Sequence, residues 1–591
     1  MKQLLLGNFA VARGIYEAGC EVVSSYPGTP STEITECLSE YPKSDIYCEW
    51  APNEKVALET AIGASIAGKR AFCAMKHVGI NVAADPLFTA SYTGVRGGLV
   101  IAVADDPGAH SSQNEQDSRN YALAAKLPML EPSDSAECLE FVKAAFELSE
   151  KYDTPVLLRL QTRVSHSRSL VEIGERIVPE KKPYAKDSAK YVMIPVNATK
   201  KHAVVEERMY NLDVDFFNSS LNQTIYNDRK IGIITSGTAY LYAREVFGDS
   251  VSYLKLGTVN PLPTDLLFDF GKTIHNAGGT VYVIEELDPF IENKCRSIGA
   301  FDVVGKTDVY YTEKLFTPLY EYSQSYLREK IQNDTETNAV SYKIDNIPPR
   351  PPVLCAGCPH RGVFHILAKH KLFVSGDIGC YTLGAGAPLN AIDTTVCMGA
   401  SISGLHGFLK ADPTYAGKAV SVIGDSTFIH SGITGLINSV YNKSACVHIV
   451  LDNSITGMTG HQNNPANGKD IYGDPASAVD LERLCASVGV EKVSVCDPYD
   501  LGSVEDTVTA HLKYATETGL PSVIIARRPC ALIKGIKHNA PLTITDCKGC
   551  KGCLKIGCPA ISMKDKRAVI DETSCVGCGI CKGLCNFGCI K

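Results

Sequence analysis

Short apolar segments alternate with helix-like segments over residues 1 to about 165. Such alternation is typical of a parallel α/β sheet, in which each strand is followed by a helix. The predicted strands are 21–26, 45–48, 71–76, 98–104 and 155–160. The predicted helices between them include 53–67 and 135–148. The first part of the chain is therefore predicted to be one α/β domain.

The chain changes character twice before its last segment. Residues from about 170 to 228 are polar and Lys-rich with little strand pattern, and we interpret them as a connector with one or two helices. A second α/β unit begins at Lys230 and contains a predicted strand at 280–285. The Pro-rich run at 347–352 marks a boundary, and a third α/β unit follows. Its predicted strands are 419–423 and 447–451.

Composition and charge restrict the class of protein. The chain has 591 residues, and ~150 residues per domain predicts about four domains. The net charge of −7 argues against nucleic acid as a partner. The apolar start at 4–6 is soon interrupted by Arg13, so we expect no secretory signal. No apolar run reaches the ~20 residues that span a bilayer, and we expect a cytoplasmic protein without membrane association.

The last 45 residues contain nine of the 23 cysteines in a regular spacing. The first run is Cys-x2-Cys-x2-Cys-x4-Cys-Pro, and the second is Cys-x2-Cys-x2-Cys-x3-Cys. In two-cluster ferredoxins three close thiolates bind one [4Fe–4S] cluster, and the fourth Cys of the run binds the other. The predicted ligands are Cys547, Cys550, Cys553 and Cys585 for one cluster, and Cys575, Cys578, Cys581 and Cys558 for the other.

Zinc knuckles and a disulfide staple are the alternatives to clusters. Zinc sites take four Cys in two pairs rather than triplets with a remote fourth. Cluster ligands must remain reduced thiolates, which agrees with a cytoplasmic protein. A two-cluster module makes the chain an electron conduit, so a source of electrons is expected in the other domains.

A candidate source lies in the third α/β unit. Gly424, Asp425 and Ser426 follow one predicted strand, and Asn453 follows the next. Both sites therefore lie at carboxyl ends of parallel strands, where α/β sheets bind ligands. Asp425, Asn453 and the carbonyl of Ile455 would offer oxygens to Mg²⁺, and Gly424 permits close approach of a diphosphate. The pattern resembles the thiamine diphosphate motif Gly-Asp-Gly…Asn, although two ordinary turns would also explain it.

A glutamate in a separate domain is the second requirement of thiamine diphosphate enzymes, because it protonates the aminopyrimidine ring. Glu54 begins the predicted helix 53–67, whose small residues would let a flat ring approach closely. Glu59 is the competing candidate, and we prefer Glu54 from its position after the predicted strand 45–48. The alternative is a glutamate that only stabilises the helix N-terminus.

Six stretches distributed over all domains in one order carry a specific resemblance. They are Ser25-Tyr-Pro-Gly-Thr-Pro, Met75-Lys-His-Val-Gly-Ile-Asn, Cys355-Ala-Gly-Cys-Pro-His-Arg, Gly376-Asp-Ile-Gly-Cys-Tyr, Ile423-Gly-Asp-Ser-Thr-Phe-Ile-His-Ser-Gly and Met458-Thr-Gly-His-Gln. With them the chain resembles the 2-oxoacid:ferredoxin oxidoreductases, and among these the large subunits that act on arylpyruvates.

The resemblance implies three parallel-sheet α/β domains of the thiamine diphosphate-binding fold and a C-terminal two-cluster ferredoxin-like α+β domain. The implied domains are a pyrimidine-binding domain (1–170), a connector (171–229), a transketolase C-terminal-like domain (230–335), a linker (336–352), a diphosphate- and Mg²⁺-binding domain (353–538) and a ferredoxin domain (539–591).

The implied reaction is oxidative decarboxylation of an arylpyruvate such as indolepyruvate. CoA takes the acyl group to give an aryl-acetyl-CoA and CO₂, and the clusters pass electrons to ferredoxin. The same chemistry on another 2-oxoacid is one alternative, and non-oxidative thiamine-dependent decarboxylation is a second. A third is a ferredoxin-fused scaffold that no longer binds thiamine. The family also implies a separate small beta subunit in an α2β2 assembly.

The resemblance also implies further site residues. In relatives a third cluster is held by a Cys-x2-Cys pair, a Cys downstream and a distant Cys, a pattern that Cys355, Cys358, Cys380 and Cys530 match. The alternative is buried apolar thiols. A loop like that of Thr29 binds the substrate carboxylate in relatives, and Lys76 and His77 follow a predicted strand and could face the cofactor. His430 and His461 are candidates for proton transfer, or structural histidines.

Overall fold

A computed structural model describes residues 1–180, 182–306, 315–332, 334 and 351–591. The chain divides into two units, Met1–Tyr342 and Lys343–Lys591. Apart from its last two residues, the predicted linker 336–352 lies outside the described residues.

Short strands alternate with helices in the first unit. In chain order the strands are β1 (Lys2–Leu6), β2 (Val22–Ser25), β3 (Tyr47–Trp50), β4 (Ala71–Lys76), β5 (Leu99–Asp105), β6 (Met129–Leu130), β7 (Val156–Gln161), β8 (Arg168–Glu172), β9 (Gln223–Ile225), β10 (Ile231–Ser236), β11 (Ser252–Leu256), β12 (Thr258–Asn260), β13 (Thr280–Ile284) and β14 (Val303–Val304). The helices are α1 (Gly7–Glu17), α2 (Thr32–Ser39), α3 (Glu54–Ile66), α4 (His77–Val82), α5 (Ala84–Thr93), α6 (Arg119–Ala125), α7 (Ser135–Tyr152), α8 (Thr162–His166), α9 (Ser188–Tyr191), α10 (Pro195–Phe217), α11 (Gly237–Phe247), α12 (Thr264–Asn276), α13 (Phe290–Ile298) and α14 (Gln324–Gln332).

The larger sheet of the first unit has the strand order β12-β6-β7-β5-β4-β2-β3. All its strand pairs are parallel except β12 with β6. The central strands β4, β5 and β7 are buried along their whole length, as in parallel sheets that helices cover on both faces. The predicted α/β class with parallel sheets is confirmed.

The predicted strands of this sheet differ from the observed strands only at their ends. The prediction at 71–76 matches β4, and 98–104 shifts by one residue to β5. The strand predicted at 45–48 lies two residues later in the structure, as β3, because Tyr47 is the residue that pairs with Val22. No strand is predicted at β1, which pairs antiparallel with β8. The strand β8 crosses the predicted boundary between the first domain and the connector.

A second sheet of the first unit has the order β14-β13-β10-β11-β9. The strand β10 pairs in parallel with β11 and β13, and β9 adds to β11 in the antiparallel sense. The predicted strand 280–285 is β13, one residue shorter. The connector contains the helices α9 and α10, as predicted, and also contributes the edge strand β9.

Buried charges join the two sheets of the first unit. Arg119, in α6, is fully buried and donates to Asp117 and, over 2.6 Å, to Glu285 at the end of β13. Arg159, in β7, forms ion pairs of 2.7 Å with Asp105 and 2.5 Å with Glu131. A buried ion is costly unless it is paired, so this network favours one arrangement of the two sheets.

The second unit contains one larger sheet with the order β15-β16-β17-β19-β18, in which every pair is parallel. Its strands and those of the C-terminal hairpin are β15 (Phe373–Ser375), β16 (Ala419–Gly424), β17 (Val447–Asp452), β18 (Lys492–Cys496), β19 (Ser522–Arg527), β20 (Ile561–Lys564) and β21 (Arg567–Ile570). The helices are α15 (His360–Lys369), α16 (Ala400–Ala411), α17 (Asp425–Thr427), α18 (Ile433–Tyr441), α19 (Leu481–Ser487), α20 (Leu501–Thr518) and α21 (Ile580–Gly583). The predicted strands 419–423 and 447–451 are β16 and β17, each one residue longer.

The C-terminal region is a small layer of short elements. The antiparallel hairpin β20–β21 stands between the 3-10 turn Gly552–Ile556 and α21. An isolated bridge joins Ile544 to Ile590 and closes the two ends of the region. Its buried core consists of four isoleucines, two cysteines and Ala568. The ferredoxin-like fold of this region stays a prediction. Within the described part of the chain, no helix combines the length and apolarity that crossing a membrane requires.

Candidate active site

Glu54 lies in the first turn of α3, at the carboxyl edge of the larger sheet of the first unit. The Asn53 side chain accepts a hydrogen bond of 2.9 Å from Val56 N and caps the helix. The Glu54 residue is 5% exposed. A Cβ atom on Gly79 would lie 2.7 Å from both Cγ and Oε1 of Glu54. The missing side chain at Gly79 therefore provides the space that the carboxylate occupies against α4.

The competing candidate, Glu59, faces solvent. Its side chain is 45% exposed and forms an ion pair with Lys55 on the same helix. Pairs of this kind contribute only ~0.3–0.5 kcal/mol. Burial and the contact with α4 distinguish Glu54 from Glu59 as the carboxylate inside the fold.

The Thr29 loop and Lys76 meet at the same edge of the sheet. Thr29 follows β2, and Lys76 is the last residue of β4, which pairs with β2. A Cβ atom on Gly28 would lie 3.1 Å from Lys76 Cβ, so the loop runs against the lysine. The Lys76 Nζ donates to Ser111 O over 2.6 Å. Burial lowers the pKa of Lys76 to about 8, so this lysine titrates in a range that ordinary lysines do not reach.

His77, the first residue of α4, is fully buried. Its Nε2 lies 3.2 Å from Asn114 O, so Nε2 carries the proton and donates to that carbonyl. The Nδ1 atom has no hydrogen-bond partner among the described residues. Burial lowers the pKa of His77 and keeps the ring neutral at pH 7.

Asp106 holds the loop that contacts Lys76 and His77. Its carboxylate accepts hydrogen bonds from Ser111 N at 2.9 Å, Ser112 Oγ at 2.6 Å and Thr162 Oγ1 at 2.8 Å. Burial alone would raise the pKa of Asp106, but these hydrogen bonds lower it. The ionised carboxylate therefore fixes the loop against the end of β4.

Three oxygen-bearing groups meet at the carboxyl edge of the sheet of the second unit. Asp425 follows β16 and Asn453 follows β17, and these strands pair in parallel. The Asn453 amide nitrogen donates to Ile455 O over 2.7 Å and to Asp425 Oδ1 over 3.3 Å. Carboxylate, amide and backbone oxygens are ligands that Mg²⁺ accepts. The fold therefore brings together the three groups predicted from the sequence.

The chemistry of these donors fits a divalent cation. Asp425 is 2% exposed, and its Oδ2 has no hydrogen-bond partner among the described residues. Burial raises the pKa of Asp425 to about 7, and Asp452 adds to this effect. A buried carboxylate without compensation is costly, and a cation beside Oδ2 would remove that cost.

Gly424 and the helical turn after it form a narrow cradle. A Cβ atom on Gly424 would lie 2.7 Å from Tyr381 Cε1, so a larger residue would displace the ring. Ser426 Oγ accepts a hydrogen bond of 3.0 Å from Thr456, which ties α17 to the loop after β17. The helix continues into a π-helical turn at Phe428–Gly432, a feature frequent at functional sites. Backbone N–H groups at a helix start suit a diphosphate.

Four cysteines from three segments of the second unit lie near this cradle. They are Cys355, Cys358, Cys380 and Cys530. Burial raises the pKa of Cys380 to about 11, and the thiols of Cys530 and Cys355 contribute to the rise. Cys530 N donates to Asn453 O over 2.9 Å, and a Cβ atom on Gly457 would lie 3.4 Å from Cys380 Sγ. The predicted set therefore adjoins the loop that carries Asn453.

Two cavities of the C-terminal region are lined by cysteines. One contains Cys547, Cys550, Cys553 and Cys585, with Cys589 beside them. The other contains Cys558, Cys575, Cys578 and Cys581. These groups are the two crossed sets that the spacing predicts, and four thiols suit one [4Fe–4S] cluster. All 23 cysteines are described and free of disulfides. No three His, Cys, Asp or Glu side chains in the described ranges converge on a single metal ion.

The two candidate histidines differ in their surroundings. His430 is buried in the π-helical turn, with Nδ1 2.9 Å from Ser431 Oγ. His461 is exposed, and its Nε2 lies 3.9 Å from Cys530 Sγ. Its backbone has φ of 71°, a left-handed conformation uncommon outside glycine. The loop conformation therefore directs His461 toward the cysteine set.

Sequence reasoning assigns no role to Tyr381 or Arg361, although the fold brings both to the site. Tyr381 contacts Gly424, and its OH donates to Ile378 O over 2.8 Å. Arg361 is buried beside Cys355. Both residues stand inside stretches that carry the family resemblance, which is the one signal for them. The positions of these two residues along the chain indicate no chemical role, because only the folded structure brings them to the site.

Comparison with known proteins defines the class. Residues 13–229 match the family model "Pyruvate flavodoxin/ferredoxin oxidoreductase, thiamine diP-bdg", and residues 377–526 match "Thiamine pyrophosphate enzyme, C-terminal TPP binding domain". The fold and these two matches define a protein with thiamine diphosphate-binding domains on parallel α/β sheets. The prediction of thiamine diphosphate is thereby confirmed.

Relatives of similar length identify the family. The indolepyruvate oxidoreductase subunit IorA of Archaeoglobus fulgidus is 40% identical over 100% of this chain and 97% of its own length. The IorA subunit of Methanothermobacter thermautotrophicus is 41% identical over the same shares. A solved 2-oxoglutarate:ferredoxin oxidoreductase from Magnetococcus marinus is 18% identical and covers 57% of this chain and 65% of its own, with a TM-score of 0.43. The chain belongs to the 2-oxoacid:ferredoxin oxidoreductase family, among the IorA subunits.

Proposed function

We propose that this chain is the large subunit of an enzyme that oxidatively decarboxylates an arylpyruvate, with indolepyruvate as the first candidate. The acyl group passes to CoA, CO₂ leaves, and two electrons pass through iron–sulfur clusters to ferredoxin. The observation that carries the proposal is 40–41% identity, over the whole chain, to subunits named for indolepyruvate. The cysteine-lined cavities support the oxidative reaction over simple decarboxylation.

In this proposal the second unit holds the diphosphate end of thiamine diphosphate. Asp425, Asn453 and the Ile455 carbonyl bind Mg²⁺, and Gly424 and Ser426 approach the diphosphate. The unpartnered Oδ2 of buried Asp425 supports the metal assignment. When bound, thiamine diphosphate supplies a nucleophilic carbon and an electron sink for the carbanion that CO₂ leaves behind.

The first unit supplies the proton chemistry and the substrate contacts. Glu54 holds and releases a proton at the aminopyrimidine ring, from the buried position that Gly79 makes possible. Lys76 is the counter-charge of the substrate carboxylate, and the Thr29 hydroxyl donates to the same group. His77 is neutral and holds loop 106–116 through the contact of its Nε2 with Asn114 O. Loop 106–116, held by Asp106, limits the access of water to these groups.

We further propose two clusters in the C-terminal region and a third at Cys355, Cys358, Cys380 and Cys530. The contact of this third set with the loop of Asn453 supports an electron acceptor next to thiamine diphosphate. Iron quantitation on the reconstituted protein separates the possibilities. About 12 iron atoms per chain would support three [4Fe–4S] clusters, while a ceiling near ~8 would rule out the third.

The assembly that follows is a cytoplasmic α2β2 heterotetramer with a small beta subunit, because the family places thiamine diphosphate between domains of different protomers. Ferredoxin is the external electron acceptor. Full turnover by this chain alone, measured after separation from any small subunit, would contradict the assembly.

The decisive experiment is anaerobic reduction of a low-potential dye by the chain co-expressed with its small subunit. Indolepyruvate is supplied with and without CoA, and pyruvate serves as the comparator. Strong CoA-dependent reduction with indolepyruvate and little with pyruvate would support both the reaction and the aryl specificity. Reduction with pyruvate instead would assign another 2-oxoacid. Release of CO₂ without dye reduction would assign a non-oxidative decarboxylase.

A further inference from the structure

Arg361 is a buried cation whose hydrogen bonds all go to backbone carbonyls. It stands in the first turn of α15 and is 2% exposed. Its Nε donates to Cys355 O over 3.0 Å, and one terminal nitrogen donates to Leu354 O. The other terminal nitrogen donates to Ile556 O over 3.0 Å and to Gly557 O over 2.6 Å.

These four carbonyls belong to two different cysteine segments. Leu354 and Cys355 begin the Cys-x2-Cys segment of the candidate third cluster. Ile556 and Gly557 immediately precede Cys558, a predicted ligand of a C-terminal cluster. One planar guanidinium therefore connects the start of the Cys355–Cys358 segment to the residues just before Cys558, in the fixed fork geometry that arginine provides and lysine lacks.

In the described part of the chain, this charge is not compensated by a carboxylate. Among the described residues no Asp or Glu forms an ion pair with Arg361. The thiols that act most strongly on its charge are those of Cys558, Cys358 and Cys355. A buried ion without an opposite charge is destabilising by several kcal/mol. The adjacent cysteine sites can supply anionic partners for this cation.

We call Cys558, Cys575, Cys578 and Cys581 the inner cysteine set, and Cys547, Cys550, Cys553 and Cys585 the outer cysteine set. The cavity of the inner set extends to Arg361. Ala356, Gly357 and Arg361 line it together with Cys558, Cys575, Cys578 and Cys581. The cavity of the outer set, which contains Cys547 and Cys550, is lined by residues 544–590 alone. The arginine is thus adjacent to the inner set and to the Cys355 set, but not to the outer one.

We propose that Arg361 is the shared counter-charge of the two neighbouring clusters and a positioning residue that sets their reduction potentials. The inference rests on the proposed function, because it requires clusters at both cysteine sets. Adding an electron to a cluster makes it more negative, so a fixed positive charge beside it favours the reduced form. The effect is large where the surroundings are buried, because the low effective dielectric increases charge–charge interactions.

Redox titration of the cluster signals by electron paramagnetic resonance tests the proposal on the complex with its small subunit. The variants are R361Q, R361K and, as the matched control, R483Q, whose side chain is 89% exposed in the same unit. C575S identifies the inner cluster by the loss of its signal. R361Q is expected to disfavour reduction of the inner cluster at least tenfold, a shift of 59 mV for one electron. R361K and R483Q should change it less than twofold, and the outer cluster should shift less than the inner one.

Equal inner-cluster potentials in wild-type protein and iron-loaded R361Q would overturn the inference. If R361Q does not bind iron, R361K decides the question. A wild-type iron content and a wild-type potential of the inner cluster in R361K would support the role of the positive charge. Loss of iron in R361K as well would show that only the geometry of the arginine matters, and this result would overturn the inference. A wild-type complex without cluster signals would refute the cluster assignment of the proposed function and the inference together, so the two failures are distinguishable.

Discussion

Replacing Gly79 by Ala tests the proposed position of Glu54 most directly. The new Cβ atom would lie 2.7 Å from Glu54 Cγ and Oε1, whereas ordinary contacts begin at 3.4 Å. The glutamate side chain or α4 must therefore move by about 0.7 Å. Gly79 is helical and has no positive φ, so the substitution introduces no backbone strain and acts through this contact.

The expected loss of activity follows from the size of this displacement. A misplacement of ~1 Å at a reacting group can lower the rate about 100-fold. For a displacement of about 0.7 Å we expect kcat to fall on the order of 30- to 100-fold, or about 2–2.7 kcal/mol. The cost in stability is that of added volume in a packed region, ~1–3 kcal/mol.

The assay is CoA-dependent dye reduction at saturating thiamine diphosphate, with thermal unfolding measured in parallel. G63A is the matched control, because Gly63 is exposed in the same helix as Glu54 and a Cβ atom there meets nothing within 4 Å. G63A should keep kcat and gain up to ~1 kcal/mol of helix stability. The double variant G79A/E54Q should be no slower than E54Q. Wild-type kcat in G79A, or fully additive losses in the double variant, would refute the proposed position of Glu54.

Three further predictions follow from the same sites. E54Q should lower kcat by ~10²–10⁴-fold, as loss of a proton-transfer group does, while E59Q at the exposed rival position should leave it within twofold; equal effects would contradict the choice of Glu54. The pKa of Lys76 is about 8, and its charged form binds the substrate carboxylate in our proposal. We therefore expect kcat/KM to fall as pH rises through about 8, and K76R should move this fall to higher pH. Identical pH profiles of wild type and K76R would show that Lys76 does not bind the substrate. R119M should destabilise the chain by ~3–5 kcal/mol in urea unfolding, because it leaves buried carboxylates unpaired, and R163M at an exposed pair by at most ~1 kcal/mol; equal costs would show that the buried network does not join the sheets.

The sequence predicted the elements around the candidate site with small errors at their ends. Buried parallel strands are short continuous apolar runs, and β4 and β16 are visible for that reason. Strand ends are less visible because pairing decides them, as the pairing of Tyr47 with Val22 does for β3. The strand β1 could not be predicted from the sequence for the same reason, since its partner β8 lies 160 residues or more away along the chain.

The cysteines that line the two cavities and the pair Asp425 and Asn453 show which groupings a local pattern can indicate. The two cysteine sets could be predicted from spacing because a [4Fe–4S] cluster needs four thiols. Each run supplies three thiols to one set and its fourth thiol to the other. Asp425 and Asn453 could be paired because the ends of neighbouring parallel strands meet at one edge. In both cases the chemistry depends on residue type and on a short, regular separation.

By itself the sequence determined the domain class, the cysteine sets and the cofactor motif, since these depend on periodicity and on fixed spacing. Only the tertiary structure decided which glutamate is buried, which loop contacts Lys76 and where Arg361 directs its charge. Glu54 differs from Glu59 through Gly79 of another helix, and Arg361 reaches carbonyls almost 200 residues away. Burial and long-range contact arise from the packing of distant segments, and no local pattern in a single sequence encodes them.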